Sequence, residues 1–431
     1  MIGAGGAGLT ATWLLEQQHD VTLYEVQDRL GGHAHTVDIE VDGRSMRVDA
    51  GFQFFGPGRG YATFNRLLDA LGIRRSSYAA TMSLTRTPER RSVALPPSRA
   101  GRPVWSSLTP GALADLIRFR RFLVGIPSFL ERRDTTVTTE EYITALRMPA
   151  SFTDRFLYPL LLALWCVDLP TLHSFAAYNT LHYFSEALSD GFHPPTQLQI
   201  DGGVRAYVDK LVHDLQRAQV RTATGAVRLE RHDDEYVIQD AVDSRESFDH
   251  IVIATNAQQA AELLRSMDGL EAVTEQLDRV EYFDTTIAVH GDRRLMPPRR
   301  GAWSVVNARW DGEHSHLSVW DPALGLDVFR SWVTYDTQPP EPLYATVTYR
   351  HGKITPAYFD AQRRLKDLNG VAHVWIAGLY MHDTDSHESA IRSAVAVARR
   401  LAPESERLAL LDSFPGKAKP PRIEAPRGFL G

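Results

Sequence analysis

Residues 1–15 read MIGAGGAGLTATWLL, and a GxGxxG spacing is complete by Gly8. In such a loop Gly3 permits a tight turn, Gly5 lets the backbone approach a pyrophosphate, and Gly8 lets a helix pack against a sheet. Gly6 lies inside the same loop. The segment from Leu9 to Gln18 reads as a helix whose N-terminal amides and dipole face phosphates. DVTLYE (20–25) follows as a β-branched strand ending in Glu25, which places a carboxylate where it can hold ribose hydroxyls. A glycine turn alone carries little weight. Strand, spacing and terminal acid together predict a dinucleotide cradle.

Downstream, DRLGGHAHT (28–36) sets Arg29, Gly31, Gly32, His33, His35 and Thr36 side by side. Two adjacent glycines again let amides approach an anion; the competing reading is a glycine turn with surface histidines. VDIEVDGRSMRVD (37–49) then alternates apolar and polar residues about Asp42–Gly43, a hairpin signal. Its second strand runs into DAGFQFF (49–55), which brings Asp49 and Gly51 back towards the nucleotide.

Composition frames these motifs. The 431 residues are 43% hydrophobic and 23% charged, with a formal net charge of −6. That balance describes a globular chain with room for two or three domains, and it carries no electrostatic footprint for nucleic acid. Cys166 is the only cysteine, so an internal disulfide and a cysteine metal cluster are excluded, and a cytoplasmic location is expected. No metal site is expected: no motif makes one recognisable, and sixteen histidines make chance groupings common. The longest apolar run, FLYPLLLALWCV (156–167), contains a proline and is too short to span a bilayer. No secretory signal is read at the start.

The order GxGxxG, terminal Glu, RxGGxxxT, hairpin, DxG resembles the FAD-binding half of the amine oxidase and phytoene desaturase flavoprotein superfamily. FDHIVIATNAQQAAELL (248–264) resembles the strand, turn and helix that return beneath FAD, and VWIAGLYMHDTDSHESAIRSAVAVARRL (374–401) resembles the C-terminal flavin-binding strand, loop and helix. RLGGHAHT, LMPPRRGAW and the histidine-bearing last loop are similar to a bacterial subgroup of NAD/FAD-binding proteins often associated with cyclopropane fatty acid synthase-like enzymes. The resemblance implies an α/β fold: a Rossmann-like FAD-binding domain of glutathione reductase type, amine oxidase-like, with an inserted substrate domain of mixed sheet and helices. The expected division is 1–80, 196–268 and 366–405 for FAD, 81–195 and 269–365 for substrate, and 406–431 as a C-terminal tail. From Pro415 that tail is proline- and glycine-rich and reads as an extended arm. Only Met1 and Ile2 precede the fingerprint, and valine is common where Met1 stands, so the native start is expected upstream, with a GTG valine codon read as a start.

Position by position, the resemblance implies a non-covalent FAD whose pyrophosphate lies on Gly3, Gly5, Gly6 and Gly8 and whose ribose meets Glu25. Arg29, Gly31, Gly32, His33 and Thr36 belong to the second phosphate loop. His33 replaces a common Arg or Lys, so charge neutralisation there is expected to follow pH. Val227 meets adenine, and Gly378 with Ser389, Ala390 and Ile391 completes the flavin end. Leu379 stands where an acid is frequent and Ser389 where a glycine is frequent; serine is a good N-cap, so a helix start is expected at Ser389, with Asp383, Asp385 or Glu388 able to replace the missing carboxylate. Covalent attachment is excluded by the position of Cys166.

For the reaction, the implied chemistry is hydride removal from a C–H bond of an apolar small molecule, acyl, lipid-like or a biosynthetic intermediate, with oxygen or another acceptor taking the electrons. Gln53, Phe54, Phe55, Trp165 and Tyr380 are the substrate-side candidates, core packing being the competing reading for the aromatics. His382 is the candidate general base. An amine or amino-acid oxidase is the second reading, weakened because FDTTIAVHG (283–291) lacks the lysine many such enzymes carry there. The third is a non-catalytic flavin-binding partner of a lipid-modifying enzyme. A nicotinamide dehydrogenase would share GxGxxG but leaves RxGGxxxT and the C-terminal module unexplained.

In the remaining chain, apolar spacing predicts helices over 61–72, 113–123, 139–184 and around 204–215. Strands are read over 284–290, 303–306, 316–320 and 344–349.

Overall fold

Ile2 is the centre of a parallel sheet. It bridges Tyr24 on one side and Ile253 on the other, while Thr22–Tyr24 pairs with Gln219–Arg221 and Ile251–Ile253 pairs with Val374–Ile376. In chain order these segments lie 3-2-1-4-5 across the sheet, the doubly wound arrangement. Short as it is, the central segment is bonded on both edges: Ile2 N donates to Val252 O and Ala254 N to Ile2 O, while Gly3 N donates to Tyr24 O and Tyr24 N to Met1 O, all at 2.7–2.9 Å. The computed structural model describes residues 1–87, 91–99, 102–187, 194–233 and 235–412.

Helix Gly6–Leu15 leaves the sheet inside the glycine loop, three residues earlier than the periodicity predicts, with Leu9 N closing the first turn on Gly5 O at 2.9 Å. It packs against helix His387–Leu401 over a common apolar core that includes Leu14, Val252, Ile391 and Ala394. A Cβ on Gly8 would stand 1.9 Å from Gly3 O, so close helix–loop contact requires glycine there. The hairpin Thr36–Val41 and Arg44–Asp49 turns through Asp42 and Gly43 at φ 51° and 71°, the primed geometry that such a dipeptide favours.

Asp49 and Thr36 are tied into a helix start rather than into the cradle. Thr36 Oγ1 donates to Asp49 Oδ1 at 2.6 Å, Val204 N donates to the same carboxylate oxygen, and Arg205 N donates to Thr36 Oγ1, both at 2.9 Å. The pair thereby caps helix Arg205–His213. Glu388 does the same elsewhere: its two oxygens accept from Thr63 N and Phe64 N at 2.9 and 2.8 Å, capping helix Ala62–Ala70.

The inserted region builds a seven-stranded sheet in the order Leu343–Gly352, Tyr282–His290, Phe329–Trp332, Ser315–Trp320, Val306–Trp310, Met82–Arg86, Arg91–Leu95. All neighbours are antiparallel except Val306–Trp310 with Met82–Arg86, so the sheet is mixed. A helical layer, Pro110–Glu131 to Ala177–Ala187, packs on it through helix Tyr158–Trp165, which meets strands Ser315–Trp320 and Val306–Trp310. The helical stretch read over 139–184 is a series of short helices. Helix Tyr158–Trp165 ends on Cys166 at φ 50°, and the next helix is restarted by the Asp168 cap before Pro170. The strand read at 303–306 begins only at Val306, because Trp303 follows a 3-10 turn and donates Nε1 to Pro297 O at 2.8 Å. The reading of 406–431 as tail is also corrected in its first seven residues: helix Glu406–Asp412 docks on helices Ala62–Ala70 and His387–Leu401, with Arg399 paired to Asp412. The arm read from Pro415 lies outside the described residues.

Asp49→Ala would leave the Thr36 hydroxyl and the Val204 amide without their acceptor. We expect it to lower unfolding free energy by about 2 kcal/mol, measured as a shift of the urea midpoint.

Candidate functional site

A cavity of about 730 Å3 opens at the carboxyl ends of the parallel strands, where the strand order reverses. Gly3, Gly5 and Gly6 line it at the start of helix Gly6–Leu15, so free helix amides and the positive end of the dipole face the space. A Cβ on Gly5 would meet nothing within 4 Å, which leaves that backbone open to close approach by a ligand. Gly31 and Gly32 form the opposite lip: Gly31 N donates to Ala4 O at 2.8 Å, and a Cβ on Gly32 would lie 3.1 Å from Gly5 Cα. Arg29 does not line the cavity; its guanidinium donates to Gly32 O at 2.8 Å and braces the lip from behind.

At one end Glu25 and Val227 line the cavity. Glu25 Oε2 accepts from Ala4 N at 2.7 Å and Oε1 from Gln27 N at 2.9 Å, which fixes the carboxylate at the rim. Val227 is 64% exposed, an apolar wall next to open space. At the other end stand Gly378, Tyr380 and Ala390. Ser389 and Ile391, expected beside them, are buried away from the cavity. Helix His387–Leu401 is capped by Ser386, whose Oγ accepts from Ser389 N at 3.1 Å, so Ser389 is inside the first turn and Ile391 faces the core. Thr36 is likewise outside the lining, held by Asp49 and Arg205.

His33 lines the cavity with its ring 4.6 Å from Tyr349 and 5.4 Å from His351. Burial, then His351, His387 and Arg29, push its pKa down to about 3. The imidazole is therefore neutral near physiological pH, which corrects the expectation of a pH-dependent charge at this position. His387 is stacked on Phe52 at 4.3 Å, shares a 2.8 Å hydrogen bond between Nε2 and the Tyr207 hydroxyl, and is pushed by burial to about 3.

Of the substrate candidates, Gln53, Phe54, Trp165 and Tyr380 line the cavity, and Phe55 does not: it is fully buried against Phe64 and Tyr61. Gln53 Oε1 and the Tyr380 hydroxyl are buried without a hydrogen-bond partner among the described residues, so both point unsatisfied polarity at the site. A smaller apolar compartment continues from the cavity, sharing Phe54, Tyr61, Leu164, Tyr183 and Trp332 with it. Among the described residues no lysine lines either space.

His382 is not part of the lining. It faces Arg392, Lys366 and Arg133, and burial with the first two of these cations lowers it to about 4. The titratable group its loop does present is Asp385, which sequence reading offered only as a substitute flavin contact. Asp385 lines the cavity, lies near Tyr183, Tyr282 and Tyr358, and is raised by burial to about 6. Its backbone N–H is held by Asn179 Oδ1 at 3.1 Å.

A glycine cradle at a helix start, an acid at the ribose position and a second glycine lip define a dinucleotide-binding protein of the FAD class, and the open backbone at Gly5 fits a pyrophosphate. Residues 7–301 match the family described as flavin containing amine oxidoreductase, and the chain belongs to that family of FAD-dependent oxidoreductases. Its structure is similar to cyclohexylamine oxidase from Brevibacterium oxydans IH-35A, at 14% identity over 93% of this chain and 98% of that one, with a TM-score of 0.65. The CLA-producing fatty acid isomerase from P. acnes is similar at 15% identity over 93% and 97%, with a TM-score of 0.64. A putrescine oxidase bound to putrescine gives 12% over 93% and 97%, with a TM-score of 0.62. No curated protein sequence matches the chain. No helix among the described residues is long and apolar enough to cross a membrane.

Gly5→Ala is expected to remove most bound flavin while changing the unfolding free energy of the flavin-free protein by less than about 1 kcal/mol. Absorbance at the flavin band and urea melts check both halves.

Proposed function

We propose that the protein dehydrogenates an apolar, acyl-like small molecule held in the compartment between Phe54, Tyr61, Leu164, Tyr183 and Trp332. The observation that carries this reading is the lining itself: mainly aromatic and aliphatic walls with, among the described residues, no lysine, and a raised carboxyl, Asp385, lining the adjoining cofactor cavity. Bound FAD, held by the Gly3–Gly8 loop, the Gly31–Gly32 lip and Glu25, supplies the acceptor for a hydride. As one C–H bond gives up a hydride, an Asp385 carboxylate oxygen takes the proton from the adjacent carbon, and the electron pair left behind becomes the new double bond. Gln53 Oε1 and the Tyr380 hydroxyl orient the polar end of the substrate or the cofactor ring. The neutral rings of His33 and His387 add no competing charge. His382, turned towards Lys366 and Arg392, is left out of the proton transfer.

Asp385 also supports a second reading. A carboxylate ionised above about pH 6 would pair with a substrate ammonium, as an amine oxidase requires. The similar structures include one that acts on an amine, cyclohexylamine oxidase, and one that acts on an acyl chain, a fatty acid isomerase.

Anaerobic bleaching of the flavin by an acyl panel and an amine panel separates the two. On the acyl reading, the reduction rate rises with pH through about 6 and then levels, because the base must be deprotonated. Asp385→Asn flattens that profile and slows reduction by about 10²-fold or more with flavin content retained, whereas His382→Ala leaves the rate unchanged. Reduction only by amines, with Asp385→Asn raising KM rather than lowering kcat, would overturn it in favour of the amine reading.

A further inference from the structure

Helix Pro110–Glu131 is apolar on two opposite faces. Inward, Phe119, Phe122, Ile126 and Phe129 are buried, and Phe119 and Phe122 meet Phe184 edge-on at 5.7 and 5.9 Å. Outward, Ile117 is 63% exposed, Val124 is 69% exposed, and Leu113 is exposed one turn earlier. These three follow helical spacing and share a face with Arg120 and Arg121, and together with Leu116 they line a shallow surface groove of about 440 Å3. Trp105, in the 3-10 turn leading into the helix, is 77% exposed. A helix that meets water normally presents polar residues there, and a cluster of exposed apolar side chains marks an interaction surface.

The charge around this face indicates what it meets. From Arg102 to Arg133 there are six arginines and two carboxylates, a formal charge of +4 in a chain of net −6, with Arg133 at the far end paired to Asp383 at 3.2 Å. One of the two acids, Asp115, is paired with Arg118 at 3.4 Å. Apolar residues flanked by arginines, with an exposed tryptophan, match the headgroup boundary of an anionic bilayer, where the apolar face enters the acyl boundary and the cations meet lipid phosphates. We propose that this face docks the protein on the surface of an anionic lipid bilayer, with helix Pro110–Glu131 lying in the interface. The helix beneath it, Ala177–Ala187, turns His182 and Tyr183 into the apolar compartment, so a docked bilayer lies one helical layer from that compartment. The docking rests on the surface alone and does not depend on which reaction the site performs.

The test uses full-length, flavin-loaded protein co-sedimented with vesicles of phosphatidylcholine and with vesicles of equal parts phosphatidylcholine and phosphatidylglycerol. We expect binding to the anionic vesicles at least about tenfold tighter than to the neutral ones and weakened by added salt. Ile117→Asp/Val124→Asp and, separately, Arg120→Glu/Arg121→Glu should each lower anionic binding by about tenfold or more with flavin content and melting temperature unchanged. If the apolar variant loses its flavin, the arginine variant decides alone. No binding to anionic vesicles, or binding that the folded variants do not reduce, overturns the proposal. So does a wild-type dimer without vesicle affinity that Ile117→Asp/Val124→Asp converts to monomer, which would assign the face to a second copy of the chain.

Discussion

The architecture depends on how closely backbone meets backbone beneath the cavity. Helix Gly6–Leu15 sits so near the loop it springs from that a methyl group at position 8 has no room, and Gly51 is pressed against His33 O, 2.0 Å from where its Cβ would be. Phe52 N then donates to His33 O at 2.8 Å, so the hairpin return, the second glycine loop and the fingerprint are stitched into one layer. Removing side chains from these crossings brings several amides to one surface. A charged phosphate can be met there by dipoles that are already oriented, with little reorganisation.

Charge is spent sparingly around that surface. His33, His351 and His387 are all pushed down by burial, and two acids that could have faced the cofactor, Asp49 and Glu388, are used instead as helix caps. Burial acts on carboxylates in the opposite sense, which is why Asp385 is raised by the environment that neutralises the histidines. One desolvated space therefore pushes its buried histidines towards the neutral form and its buried acid up to about 6.

Much of the nucleotide half was legible because its signals are local. The glycine spacing, the strand ending at Glu25 and the Asp42–Gly43 turn each follow from residues adjacent in the chain, and each forms where expected. Boundaries slipped where a cap outweighed periodicity: helix Gly6–Leu15 starts within the glycines, and Ser386, not Ser389, starts the last helix. Strands Met82–Arg86, Arg91–Leu95 and Phe329–Trp332 were missed because they are only four or five residues long and carry serine or arginine among their apolar positions. Asp385 lines the cavity and His382 does not, and the sequence could not separate them. Two acids and two histidines fall within the six residues 382–387, and only tertiary packing decides which of them faces inward.

That packing comes from the inserted region. Gln362 Nε2 donates to Asp383 O at 3.0 Å, Arg133 reaches Asp383 at 3.2 Å, and Asn179 Oδ1 accepts from Asp385 N. The loop between strand Val374–Ile376 and helix His387–Leu401 is thus fixed from outside the nucleotide domain, by the helical layer and by helix Pro356–Leu368. The consequence is mechanical. Asp385, which lines the cavity, is positioned by the part of the chain that also shapes the apolar compartment. Exchanging the insert within this fold would then change not only the compartment but also which group of the loop faces it, and a common cradle can serve different chemistries without any change in its glycines.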